Sequence, residues 1–184
     1  MSFFIQRIKF TFIKKNIMIK INFLILLAAT VVPLIIGFVW YNPKVFGTAW
    51  MKASGMTEEK AKGANMAVVF GLTFLFSFLI AFILQSMVIH QFSVFSLLAN
   101  EPGIMDPTSE MGLWLADFMA KYGNNFRTFK HGVLHGTIIG IMFVMPIIAI
   151  NALFERKGFK YIAINSGYFT ASLALMGGVI CAFS

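Results

Sequence analysis

Apolar positions in this chain come in long unbroken runs rather than in the alternation of a strand or the one-sided stripe of a surface helix. Four runs stand out, Ile21 to Tyr41, Met66 to Ile89, Gly132 to Leu153 and Tyr161 to Phe183, and none contains Asp, Glu, Lys or Arg. A helix rises about 1.5 Å per residue and the hydrocarbon core of a bilayer is about 30 Å thick, so about 20 apolar residues cross it. The pattern therefore predicts an all-α, polytopic membrane protein: a four-transmembrane-helix bundle with spans at 21–41, 64–91, 132–153 and 160–183. A charge buried in a span would mark an ion or proton pathway, so the charge-free runs argue against a simple proton relay.

The segments between the runs carry their own signals. Trp40, Tyr41, Phe46 and Trp50 suit the interfacial belt, where a ring sits between hydrocarbon and water. Val45 to Ala53 predicts a short interfacial helix ended by Gly55, and Thr57 before Glu58 and Glu59 reads as a helix cap with acids in the first turn. In the long middle loop Asp106-Pro107 reads as a helix start. Met111, Trp114, Leu115, Phe118 and Tyr122 then share one face up to Gly123, giving an amphipathic helix over 107–122 that lies on the membrane or caps the bundle. The tight turn Glu155-Arg156-Lys157-Gly158 makes the last two spans an antiparallel hairpin. Residues 1–17 mix Arg7, Lys9, Lys14 and Lys15 with Phe3, Phe4, Ile5, Phe10 and Phe12. They read as a basic interfacial extension, or as sequence ahead of a true start at Met18, leaving residues 18–184 as a single membrane domain.

Composition agrees with the runs. The chain is 59% apolar and 12% charged, against about 45–50% and about 25% in soluble domains. The net charge of +8 sits almost wholly outside the runs, with no basic stripe, so its expected partner is the lipid bilayer and not nucleic acid. Counted from Met18, the short loops carry Lys44, Lys52, Lys60, Lys62, Arg156, Lys157 and Lys160 against Lys20, Lys121, Arg127 and Lys130 on the other side. That bias puts the short loops in the cytoplasm and both termini outside. The lone Cys181 excludes an internal disulfide and reads as a small packing residue.

Three groups of residues are candidates for more than spanning. Gly132, Gly136 and Gly140, with Ala174, Gly178 and Ala182, repeat every four residues, the spacing that lets helix backbones approach closely and also suits a homo-oligomer. His131 and His135 lie one helical turn apart, and His90 closes the second span on the same side of the membrane. Three imidazoles at one end suit a metal ion or proton chemistry; the plain alternative is interfacial histidines bonded to water or carbonyls. At the other end Trp40, Tyr41, Asn42, Asn151, Glu155, Asn165 and Tyr168 collect. They fasten helices together, or line a pocket for a small polar ligand. No phosphate-cradling loop, nucleophile elbow or paired carboxylates within the spans are present, so neither an enzyme nor a cofactor is expected.

Trp40-Tyr41-Asn42-Pro43, Phe46-Gly47 and Trp50-Met51 resemble the segment after the first helix in the domain of unknown function 1761 family. Asn151-Ala152-Leu153-Phe154-Glu155, Ile164-Asn165-Ser166-Gly167-Tyr168 and Met176-Gly177-Gly178 resemble its closing hairpin. The resemblance runs from Met18 to the C-terminus and implies a bacterial multi-pass protein of the inner membrane, with no activity attached. Many members carry Ser where Asn42 stands here, and many have a shorter middle loop. Two functional classes follow from the residues. One is a non-enzymatic structural or accessory membrane component; the other is a small oligomeric transporter, or a metal- or proton-binding protein that uses the histidine end.

Overall fold

A computed structural model of the chain describes residues 21–184; the extension over 1–17, expected to add nothing to the bundle, lies outside the described residues. The described residues form helices and no strand. In chain order they are α1 (Phe23–Trp40), a π-turn (Pro43–Gly47), α2 (Thr48–Ser54), α3 (Glu58–Lys62), α4 (Met66–Val88), α5 (Gln91–Leu98), α6 (Glu110–Tyr122), α7 (Phe129–Phe154) and α8 (Phe159–Phe183). The chain divides into two compact units, one of residues 22–88 and 128–184, the other holding 89–127.

The first unit contains α1, α4, α7 and α8, which are the four helices long and apolar enough to cross a membrane. Their boundaries fall within a few residues of the four apolar runs, and polar caps open α1 and α7. Asn22 accepts from the Ile25 amide ahead of α1, and Thr128 accepts from the His131 amide ahead of α7. Gly55 ends α2 with φ of 75°, a conformation that favours glycine. Thr57 caps α3, with Glu58 and Glu59 in its first turn.

Helix α8 is the centre of this unit. It packs along α7 and against α1 and α4. In the spanning window of α8, 44% of residues are buried, against 11% to 22% in the other three, so those three carry the outward apolar surface. Phe38, Met142 and Phe143 stand 82%, 73% and 65% exposed, the arrangement of a bundle whose solvent is hydrocarbon.

Helix α7 is not uniform. Pro146 has no amide hydrogen and its ring collides with the preceding turn of a regular helix. Here the helix widens into a π-segment over Gly140–Val144 immediately before that proline, and α-geometry resumes at Met145. One extra residue in the turn is a known way of relieving such a clash. The turn into α8 is a Schellman closure: the Lys157 amide reaches the Ala152 carbonyl at 2.8 Å and the Arg156 amide reaches Leu153 at 3.1 Å. Arg156 occupies the left-handed position, with φ of 55°.

The second unit corrects the reading of the middle loop in three ways. Helix α5 was not anticipated; its Gln91 Nε2 donates to the carbonyls of Tyr122 and Asn125 at 3.2 and 2.9 Å, joining its start to the end of α6. Asp106-Pro107 is not a helix start. Asp106 folds into a tight turn, accepting from the Thr108 amide and hydroxyl at 2.8 and 2.7 Å, and the Thr108 hydroxyl bond holds its carboxyl below the ordinary range. Ser109 then caps α6 by accepting from the Gly112 amide. The buried face of α6 is Gly112, Leu115 and Ala116, while Trp114 stacks on Phe118 and Phe118 meets Tyr122 at a tilt, with centroids 5.4 and 5.0 Å apart.

Candidate functional site

The seam between α7 and α8 shows how closely the bundle is drawn together. A Cβ added at Gly132 would fall on the Gly177 carbonyl, one at Gly136 on the Leu173 carbonyl, and one at Gly140 within 2.6 Å of the Thr170 Cα. The three glycines thus meet Gly177, Leu173 with Ala174, and Thr170 in antiparallel order, four-residue steps against near-four-residue steps. The expected partner row Ala174–Gly178–Ala182 is displaced by one position. Gly177, not Gly178, faces Gly132, while Gly178 lies against the Phe129 ring and Ala182 is half-buried near the end of α8. Within one chain the glycine face of α7 is filled by α8. Cys181 is buried on this seam and donates to the Val88 carbonyl at 3.4 Å, a packing residue as expected.

At the end where α7 begins, His131 and His135 are both half-buried, and their ring centroids are 4.5 Å apart. One turn of helix puts both imidazoles on one face beside the glycines. His90 belongs to the other unit, where it is exposed ahead of α5 and meets Phe126 edge-on at 6.1 Å. The geometry of the pair is compatible with two ligands to one ion.

The opposite end of the same unit holds the aromatic and amide cluster. Asn165 is its hub. Its amide oxygen accepts from the Tyr41 hydroxyl at 3.1 Å and from the Trp50 indole at 3.2 Å, and its nitrogen donates to the Tyr161 carbonyl at 2.8 Å. Trp40 donates to the Ile164 carbonyl at 3.1 Å, with its ring on Phe46 and over Gly167, where a Cβ would come within 2.8 Å of the indole. Tyr168 donates to the Pro33 carbonyl at 3.0 Å. Burial, with the neighbouring Tyr168 and Tyr161, pushes the Tyr41 phenol well above its ordinary value, so it remains a neutral donor.

Other members of the expected cluster stand apart. Asn42 turns back on its own segment, accepting from the Lys44 amide at 3.0 Å, and Pro43 opens the π-turn. Asn151 and Glu155 are exposed and take no part in these bonds. Two participants carry only belt or loop signals in the sequence: Trp50, and Lys157, whose ammonium donates to the Ser54 carbonyl at 2.6 Å and so ties the closing turn to the end of α2.

Beside the cluster a cleft of about 640 Å³ opens between α1 and α4. Pro33, Gly37 and Phe38 form one wall and Val69, Phe70 and Thr73 the other, with Tyr168 behind and Tyr41, Asn42 and Trp50 at one end. A second recess of about 250 Å³ adjoins it, sharing Pro33, Thr73 and Tyr168 and reaching Ser77 and Ser172. The volumes are those of a site for a small or chain-like ligand, though the walls are almost wholly apolar.

No curated protein and no solved structure matches the chain. The family described as Protein of unknown function (DUF1761) matches residues 24–181. That stretch takes in α1, the aromatic segment behind it, and the α7–α8 hairpin that supplies Asn165, Tyr168 and the glycine seam. With so much of its length matched, this chain belongs to the DUF1761 family.

Proposed function

We propose that this protein is a non-enzymatic membrane component, crossing the bilayer four times and holding a fixed surface at its short-loop end. One observation carries the reading. Both accepting positions of the Asn165 amide oxygen are taken by Tyr41 and Trp50, so the most polar part of the cluster is occupied with joining α1, α2 and α8. A reacting site keeps a donor, base or nucleophile available to a substrate; here the hydroxyl and indole that a substrate would meet are committed to the fold. The deletion strain, profiled under metal, acid and envelope stress, supplies a phenotype to complement. Tyr41→Phe removes one hydroxyl and keeps the ring. Rescue in proportion to the amount of folded protein is the expected result. A Tyr41→Phe protein that folds at the wild-type level yet rescues nothing would overturn the reading.

A second reading, a metal-binding membrane protein, is favoured by the His131–His135 pair with its 4.5 Å ring separation. His90 is the further imidazole that the sequence offers to it. Zinc or nickel should then co-purify with the protein and be lost when His131 and His135 are both replaced by Ala. Metal content unchanged by that double replacement would refute it.

A further inference from the structure

We infer that the cleft between α1 and α4 seats an acyl chain of an anionic phospholipid, with the headgroup held against the loop that carries Lys44. The cleft has the two parts such a molecule needs. Its length is walled by Pro33, Phe38, Val69 and Phe70, an apolar groove between two helices suited to hydrocarbon. Its end is Tyr41, Asn42 and Trp50, and tyrosine and tryptophan settle at the boundary between hydrocarbon and headgroups. The two ring donors at that end are already committed, since Tyr41 and Trp50 both donate to Asn165, and the Asn42 amide oxygen accepts from the Lys44 amide of its own turn. Selectivity therefore falls to the charges on the rim. Lys44 follows the lining residues Asn42 and Pro43 directly and is exposed. The rest of that loop adds Lys52, Lys60 and Lys62 against Glu58 and Glu59, and Lys62 is paired with Glu58 at 3.8 Å. The loop as a whole is net positive, with Lys44 next to the cleft's lining, which complements a phosphate that bears an uncompensated negative charge and not a zwitterionic headgroup.

The test uses the full chain in vesicles of phosphatidylcholine, with brominated phosphatidylglycerol or brominated phosphatidylcholine added at equal mole fraction. Bromine quenches tryptophan only at short range, and Trp50 lies at the cleft. The brominated anionic lipid should quench with an apparent affinity about fivefold higher, the enrichment that roughly one well-placed lysine gives at a membrane surface. Lys44→Glu should remove most of that preference. Thr73→Leu and Gly37→Leu fill the cleft from opposite walls and should abolish it. Thr73 is a mild change, because its hydroxyl only bonds back to the Val69 carbonyl; a Cβ at Gly37 meets the Tyr168 ring at ordinary contact distance, 3.5 Å. Equal quenching by both lipids in the unaltered protein, or a preference that survives both filling variants in folded protein, would overturn the proposal.

Discussion

Asn165 illustrates how a single side chain in an apolar protein is held to one task. Replaced by Leu, it would leave the Tyr41 hydroxyl and the Trp50 indole facing each other's empty partner. Hydrogen bonds between membrane helices contribute roughly 0.6–2 kcal/mol each, and water at the interface recovers part of that. Asn165→Leu should therefore lower stability by about 1–2 kcal/mol in thermal unfolding in detergent, while Asn42→Ala, which loses only a local cap, should cost less. Tyr41 gives a pH test. Its phenol is raised above the ordinary 10.0 by burial first and by Tyr168 and Tyr161 after that. The unfolded chain thus releases this proton at lower pH than the folded one, so the stability linked to it is complete below about pH 10 and is lost as pH rises beyond. Tyr41→Phe should flatten that alkaline loss; an identical alkaline profile in Tyr41→Phe would mean that another group is responsible. Much of the cluster was legible at this scale, since Trp40, Tyr41, Asn165 and Tyr168 stand at the right level in their helices. Trp50 was placed only in the belt because spacing along a chain does not say which distant acceptor an indole reaches. Asn151 and Glu155 share only the level of the cluster: Asn151 is exposed on α7 and Glu155 is exposed at its C-cap.

The elements are governed by two local conflicts and their resolution. On the α7–α8 seam the absence of side chains at Gly132, Gly136 and Gly140 is what permits the close approach. Gly136→Ala places a methyl on the Leu173 carbonyl, a backbone atom that moves only with its helix. Overpacking of this kind costs about 1–3 kcal/mol. Gly71 is the control, because nothing lies within 4 Å of a Cβ there, and Ala is the better helix former. Unfolding in detergent should place Gly136→Ala clearly below the unaltered protein and Gly71→Ala at or above it; the reverse order would remove the seam from the account. The four-residue glycine spacing revealed that α7 packs closely, and the tight turn revealed against what. The one-position shift from Gly178 to Gly177 is not legible in the sequence, because both residues are glycines and periodicity cannot choose between neighbours. The π-segment was equally hidden, since Pro146 predicts a disturbance without saying whether the helix kinks, breaks or widens. In the middle loop Ser109 displaced Asp106 as the cap because the Asp106 carboxylate is satisfied three residues earlier in its own turn.

At the scale of the whole molecule, length and apolarity set the architecture. The four long helices run 18, 23, 26 and 25 residues, or roughly 27–39 Å at about 1.5 Å per residue, which matches a hydrocarbon core of about 30 Å with modest tilt. They were the most legible feature of the sequence because a bilayer demands unbroken apolar runs and tolerates little else. The division into two units was not legible, since the middle loop carries helix signals without saying which residues they pack with. Cysteine-accessibility mapping in sealed vesicles tests the four crossings most directly, after the buried Cys181 is replaced by Ser. A single cysteine at Leu75, half exposed in the middle of α4, should resist a membrane-impermeant maleimide from both sides, as should one at Phe143 in α7. Cysteines at Lys60 and Arg156, in the two short loops, should label from one and the same side. Labelling at Leu75 from either aqueous face, or Lys60 and Arg156 labelling from opposite faces, would contradict a four-span bundle.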